Sequence, residues 1–142
     1  MARHRRKLSG PLLDRMDLLV PMPRPRSEQL HGAPTTTSAQ VLASVLEARE
    51  RQAFRLAGTG LLTNAALTPR LMREHVRAQP DALACLRGAY ERGTLSARGH
   101  QRLLRVARTI ADLEASDRVH LKHVKEALGM RQEDVVDGAQ AA

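Results

Sequence analysis

Apolar side chains recur every three or four positions along most of the chain after residue 36, which is the spacing of one face of an α-helix. This pattern predicts five helices, which run from residue 37 or 38 to about 56, from 69 to just before 80, from 80 to 92, from 96 to about 113, and from about 120 to 130. Because the connections between them are short, we expect a small helical bundle, and the predicted fold class is all-α.

Residues that favour helix ends mark several of these boundaries. Thr68 and Ser96 are good N-caps, and Pro69 occupies a first helical position, where its missing N–H does no harm. Gly93 ends the third helix. The inward-facing positions predicted from helical spacing are Leu83, Leu86 and Tyr90 in the third helix, Leu103, Val106, Ile110 and Leu113 in the fourth, and Leu121, Val124 and Leu128 in the fifth.

The two ends of the chain lack such a pattern. Four of the seven prolines lie in residues 18–37, and proline removes a backbone donor and disfavours helix at the residue before it. We therefore predict three parts: a loosely ordered, basic and proline-rich arm over 1–36, a helical domain over 37–131, and a disordered tail over 132–142.

Composition agrees with packed helices, because the chain has no Trp, one Tyr and one Phe, so its core must be aliphatic. The net charge is +8, of which residues 1–26 carry +5, so the helical part is only mildly basic and DNA contact is a possibility rather than a requirement. No apolar run is long enough to span a bilayer, and the lone Cys85 has no disulfide partner in the chain. We predict a soluble, cytoplasmic protein that does not contact membranes.

Three arginines share one side of the fourth predicted helix. At about 100° per residue, Arg98, Arg102 and Arg105 fall within a wedge of roughly 60°, opposite most of the apolar stripe. A guanidinium is planar, always charged and well matched to phosphate oxygens. Basic residues opposite a core stripe are also commonly just solvated. From spacing alone both interpretations stay open.

Two stretches carry a more specific signal, KLSGPLLDRMD at Lys7–Asp17 and SARGHQRLLRVARTIADL at Ser96–Leu113. Together they resemble the C-terminal region of magnesium-chelatase-like AAA+ ATPases, in particular the YifB/ComM group. The segments Ser44–Gln52 and His120–Leu128 resemble further pieces of that region, so the resemblance covers roughly residues 7–131. It departs from the group's pattern at DLLVPMPRP, where DLHVEVPR is more usual, and at Met130, where an aromatic residue is common.

This resemblance implies an AAA+ lid fold and specific roles for the arginines. Arg98 matches the sensor 2 residue, which reaches the γ-phosphate of ATP, and Arg102 and Arg105 are supporting nucleotide-binding candidates. Arg15 matches an arginine finger that acts in trans, on the nucleotide of the adjacent subunit. The implied parent enzyme uses ATP and Mg²⁺, forms a homo-oligomeric ring and acts as a DNA-processing motor during recombination of incoming strands.

The parts of such an ATPase that hold the phosphates and magnesium are missing from the sequence. It contains no Gly-rich GxxxxGK[ST] loop and no acidic strand end. We therefore expect a C-terminal segment of a larger enzyme, or a truncated paralogue, whose partner is the ATPase core of the same or a sister protein. In isolation the chain is expected to bind no cofactor and to have no ATPase activity. Residues 1–36 would then be the end of that core.

Two other interpretations stay open. The first is a stand-alone helical module that binds DNA, through the arm and the Arg98 face, or binds another protein. Against it, Phe54 and Tyr90 are too far apart in sequence to suggest an aromatic platform for stacking bases. The second is an accessory subunit of a tetrapyrrole chelatase, although the motifs fit the ComM side better.

Histidine and cysteine chemistry has little support in the sequence. His120 and His123 are three residues apart, but a zinc site needs about four ligands and Cys85 is the only thiol. We predict no metal site, with His120 at the start of a helix, His123 on the surface and Cys85 as a small buried hydrophobe.

Overall fold

A computed structural model describes residues 15–20, 22, 24–27 and 36–131. Within residues 36–131 the chain forms five α-helices: α1 (Ser38–Arg55), α2 (Pro69–His75), α3 (Pro80–Glu91), α4 (Ala97–Leu113) and α5 (Leu121–Gly129). One 3-10 turn, Asn64–Ala66, joins α1 to α2. This part of the chain contains no β-strand beyond a single bridge between Ala78 and Val119, so the predicted all-α bundle is confirmed.

The helices begin where their capping residues predict. Thr37 and Gln40 form a capping box at α1, in which each side chain bonds the other residue's backbone N–H. Thr68 caps α2 ahead of Pro69, and the Ser96 hydroxyl accepts from the Gly99 N–H at 2.9 Å at the start of α4. Local side chain to backbone bonds therefore set these starts, independently of the packing.

Helix α4 is the centre of the bundle and packs against α1, α3 and α5. Its small residues Ala107 and Ala111 are fully buried, which lets neighbouring helices come close. The core around them is aliphatic, as composition requires, and its largest fully buried apolar members are Leu56, Leu67, Leu86, Leu103, Val76, Val119 and Val124. No helix among the described residues is both long and apolar enough to cross a membrane.

Several predicted inward positions are wrong because the helices are covered on other faces. Leu113 is 47% exposed at the end of α4, and Leu83 and Tyr90 of α3 are also exposed, while Leu86 is buried as predicted. Cys85 is half-buried against the core. Most of the arm predicted over 1–36, and the tail predicted over 132–142, lie outside the described residues.

The prediction for His123 is also wrong, since this side chain is fully buried in α5. Its Nδ1 accepts the His120 backbone N–H at 3.0 Å, and its Nε2 lies 3.2 Å from Glu114 Oε2. Hydrogen bonds from Lys122 and His123 lower the pKa of Glu114. His123 thus caps α5 from inside the bundle and joins it to the end of α4.

Candidate arginine site on helix α4

The N-terminal half of α4 presents Arg98, Arg102 and Arg105, as the periodicity predicts, but their surroundings differ. Arg98 is exposed on the first turn, and within the described part of the chain no hydrogen bond or ion pair engages its side chain. Arg105 is half-buried, and its Nη2 donates to the Leu67 carbonyl at 2.7 Å. Arg98 is therefore available to a ligand, whereas Arg105 ties α4 to the start of α2.

Arg102 holds the segment that carries Arg15 against the bundle. Its Nη1 lies 3.1 Å from Asp17 Oδ1 and also donates to the Arg15 carbonyl. Sequence reasoning placed Arg102 among the nucleotide ligands, but most of its side chain is buried in this contact with the arm. The Arg15 side chain itself is exposed.

Two more hydrogen bonds fix the same segment at the end of α5. The Leu19 N–H donates to the Met130 carbonyl at 2.7 Å, and Arg131 Nη1 donates to the Met16 carbonyl at 3.1 Å. Residues 15–19, which we call the docked segment, therefore lie along the same end of the bundle as Arg102. The structure brings Arg15 and the arginines of α4 onto one body, although Arg15 and Arg102 are 87 positions apart in the sequence.

We expect Arg102→Ala to loosen the docked segment. The variant loses a partly exposed ion pair and one hydrogen bond, together worth about 1 kcal/mol, so the Leu19 amide should exchange with solvent about fivefold faster. NMR hydrogen exchange measures this directly. Arg98→Ala, on the same helix face, is the matched control and should leave the Leu19 rate unchanged. Equal rates in wild type and Arg102→Ala would show that Arg102 does not hold the segment.

Sequence reasoning missed a buried charged network in the C-terminal half of α4. Arg108 and Asp112 are each 1% exposed, and Arg108 Nη2 donates to Asp112 Oδ1 at 2.8 Å. From α1, Arg55 donates to both oxygens of Asp112 at 2.9 and 2.6 Å. Asn64 Nδ2 donates to the same carboxylate at 2.8 Å and to Thr109 Oγ1 at 3.0 Å. The Asp112 carboxylate thus accepts hydrogen bonds from the guanidiniums of both Arg55 and Arg108.

Arg108 also closes the end of α4 through backbone oxygens. Its Nη1 donates to the Asp117 carbonyl at 2.8 Å, and its Nη2 donates to the Ser116 carbonyl. Burial lowers the pKa of Arg108; Asp112 opposes this shift and the positive charge of Arg55 adds to it. The available signal was the i, i+4 spacing of an arginine and an aspartate interleaved with Ala107 and Ala111, which places the pair on a buried face.

Comparison with known proteins shows the family of this chain. The family described as magnesium chelatase, subunit ChlI C-terminal, matches residues 35–131. An uncharacterized protein of Mycobacterium tuberculosis strain H37Rv is 42% identical over 130 residues, covering 92% of this chain and 26% of the relative.

Two named relatives match over a similar range. YifB of Escherichia coli K12 is 38% identical over 134 residues, or 93% of this chain and 26% of the relative. The competence protein ComM of Haemophilus influenzae is 39% identical over 131 residues, or 91% of this chain and 25% of the relative. The chain spans about a quarter of the length of these relatives. The resemblance predicted from the two arginine motifs is confirmed, and the chain belongs to the magnesium chelatase subunit ChlI C-terminal family, with YifB and ComM among its relatives.

Proposed function

We propose that this chain is the C-terminal lid segment of a ComM-like AAA+ ATPase and contributes arginines to ATP hydrolysis. Family membership and the relatives YifB and ComM support this role. The phosphates and Mg²⁺ would be bound by an ATPase core of the same or a sister polypeptide. The enzyme would be a cytoplasmic, homo-oligomeric ring, and the name of the relative ComM, a competence protein, supports DNA as its substrate.

The availability of Arg98 is the observation that carries this proposal. Of the three arginines on one face of α4, Arg102 is engaged by the docked segment and Arg105 by Leu67, while Arg98 is exposed without such a partner. Arg98 also lies in the first turn of a 17-residue helix, where backbone N–H groups add positive potential. A γ-phosphate brought to this end of α4 would meet an exposed guanidinium that has no partner within the described residues.

Arg15 would act on a different nucleotide from Arg98. In a cyclic ring every subunit contacts its neighbour through two different surfaces, so an exposed arginine on one side can reach the site of the next subunit. Arg15 is exposed and its backbone is held by Arg102. A finger fixed in this way would stabilise charge that develops on the phosphate during transfer to water.

Arg98→Ala tests the proposed role in the polypeptide that joins this chain to an ATPase core. Removing one charged donor to a developing charge should lower kcat about a hundredfold. Binding of a fluorescent ADP should change little, because ADP lacks the γ-phosphate. Arg87→Ala, an exposed arginine of α3, is the control and should retain turnover. Unchanged turnover in Arg98→Ala would contradict a role at the γ-phosphate. A loss of ADP binding as large as the loss of turnover would contradict it too.

A further inference from the structure

A second basic site lies away from the first turn of α4, in a pocket of about 310 Å³. The pocket lies between the C-terminal ends of α1 and α4, and Arg77, two residues after the end of α2, also lines it. Its charged lining consists of four arginines and two aspartates, and Glu47 of α1 also pairs with Arg51 at 3.1 Å, which leaves a formal excess of one positive charge: Arg51, Arg55, Arg77, Arg108, Asp112 and Asp117. An excess of arginines around a concave surface is suited to an anion with several oxygens.

The guanidiniums at the floor of this pocket are held in place by hydrogen bonds. Arg108 is buried, and the Arg55 side chain is only 11% exposed, yet both bind the single carboxylate of Asp112. Arg51 Nη1 is held by the Asp112 backbone carbonyl at 3.0 Å. These guanidiniums are already fixed by the fold, so an anion that approaches them meets preorganised positive charge.

Arg77 supplies an available charge at the same pocket. Its backbone has φ +49°, a left-handed conformation that costs free energy for a residue with a side chain. Pairing with Val119 holds it there: the Val119 N–H donates to the Arg77 carbonyl at 3.2 Å, and the Gln79 N–H donates to the Val119 carbonyl at 2.9 Å. The Arg77 side chain is exposed, and no hydrogen bond or ion pair engages it within the described residues.

Phe54 adds an apolar plane to this charged site. It lines the pocket from α1 and is 88% exposed, although it is the only phenylalanine in the chain. An aromatic ring beside arginines is the combination that binds single-stranded nucleic acid, since bases stack on the ring and phosphates pair with the guanidiniums. Spacing along the chain does not reveal this site, because the arginines around Phe54 come from α1, from the residues after α2 and from α4.

We propose that this pocket binds one phosphodiester of single-stranded DNA, with a neighbouring base stacked on Phe54. A single strand fits better than a duplex because only unpaired bases present a free face to the ring. The proposal goes beyond the ATPase role above and needs neither Arg15 nor Arg98. An assay without ATP therefore tests it separately, and either proposal can fail while the other stands.

The test is fluorescence anisotropy of a fluorescein-labelled oligothymidylate of about 20 nucleotides, several times the site of one binding module, titrated with the 142-residue chain. Phe54→Ala should raise Kd about tenfold, whereas Phe54→Trp should retain binding. Tyr90→Ala is the matched control, because Tyr90 is the other exposed aromatic residue, at 51%, and does not line the pocket; its Kd should not change. Since Phe54 is almost fully exposed, its replacement should leave the fold intact, which circular dichroism checks.

Arg77→Gln tests the phosphate contact. It should weaken binding and reduce the slope of log K against log salt by about 0.7, the value for one phosphate on a single strand. Arg87→Gln removes the same charge from α3 and should leave the slope unchanged.

Three results would overturn the proposal. The first is equal Kd values for Phe54→Ala and Tyr90→Ala, which would exclude stacking on Phe54. The second is a loss of binding in Arg98→Ala but not in Phe54→Ala, which would place the strand on the arginine face of α4. The third is competition by polyglutamate as effective as by unlabelled oligothymidylate, which would indicate a site for an acidic protein.

Discussion

Replacing Asp112 by alanine is expected to lower the free energy of unfolding of this chain by about 3–5 kcal/mol. Asp112 is the only side-chain anion that Arg108 and Arg55 contact in the described residues, and both guanidiniums are largely withdrawn from water. Without it, two charges stay buried with no compensating carboxylate, and the Asn64 amide loses an acceptor. Breaking a buried pair costs much more than the pair contributes when intact, because desolvated charge is left behind.

Urea unfolding followed by circular dichroism measures this loss. Glu126→Ala, which removes an exposed carboxylate from α5, is the control and should change stability by less than about 0.5 kcal/mol. Asp112→Asn should fall between the two, because the amide oxygen still accepts one hydrogen bond but carries no charge. A loss in Asp112→Ala as small as that of the control would mean that the network contributes little to the bundle.

The other large effect is expected at Arg15. In the polypeptide that joins this chain to an ATPase core, Arg15→Ala should reduce kcat about a thousandfold, the lower end of the range for arginine fingers. The fold should be unaffected, because the contact with Arg102 is made by the Arg15 backbone carbonyl and not by its side chain. Arg24→Ala, another exposed arginine of the arm, is the matched control and should retain turnover.

Mixing two inactive variants shows whether Arg15 acts across the subunit interface. If it does, a ring of Arg15→Ala and Arg98→Ala subunits contains sites where an intact Arg98 faces an intact Arg15 from the neighbour. Random mixing should then restore about a quarter of the turnover, the statistical share of complete sites. If both arginines act within one subunit, no mixed ring has a complete site and turnover should stay at the level of the single variants. That result would rule out action in trans.

Helix positions could be predicted because they depend on neighbouring residues. Thr37, Thr68 and Ser96 cap their helices with side-chain oxygens bonded to N–H groups three residues ahead. This information lies within one turn of the chain, so it is visible in the sequence.

The buried faces could not be predicted in the same way, because they depend on what the rest of the chain places against each helix. Leu113 has the spacing of a core residue but lies beyond the cover of neighbouring helices, while His123 is enclosed between α5 and Glu114. Arg108 is paired with Asp112 on its own helix, and it also donates to the Asp117 carbonyl beyond that helix and to the Val76 carbonyl after α2. Charged residues are almost never buried alone, so their burial cannot be inferred until such partners are known.

The candidate site could also be predicted only in part from the sequence. Helical spacing was enough to put Arg98, Arg102 and Arg105 on one face of α4. It could not show that Arg102 and Arg105 are engaged by Arg15, Asp17 and Leu67, because those contacts join residues 38 to 87 positions apart. The pocket beside Phe54 was hidden for the same reason.

Docking through the main chain has a consequence for how this region can change over evolutionary time. The carbonyls of Arg15, Met16 and Met130 and the N–H of Leu19 make most of the contacts that hold the docked segment, and every residue type offers a carbonyl. Side chains at positions 16, 18 and 19 can therefore drift without moving Arg15. Within the docked segment the DLLVPMPRP run departs from the more usual DLHVEVPR pattern only at Leu19, which contributes its backbone N–H, so this change leaves the contact intact.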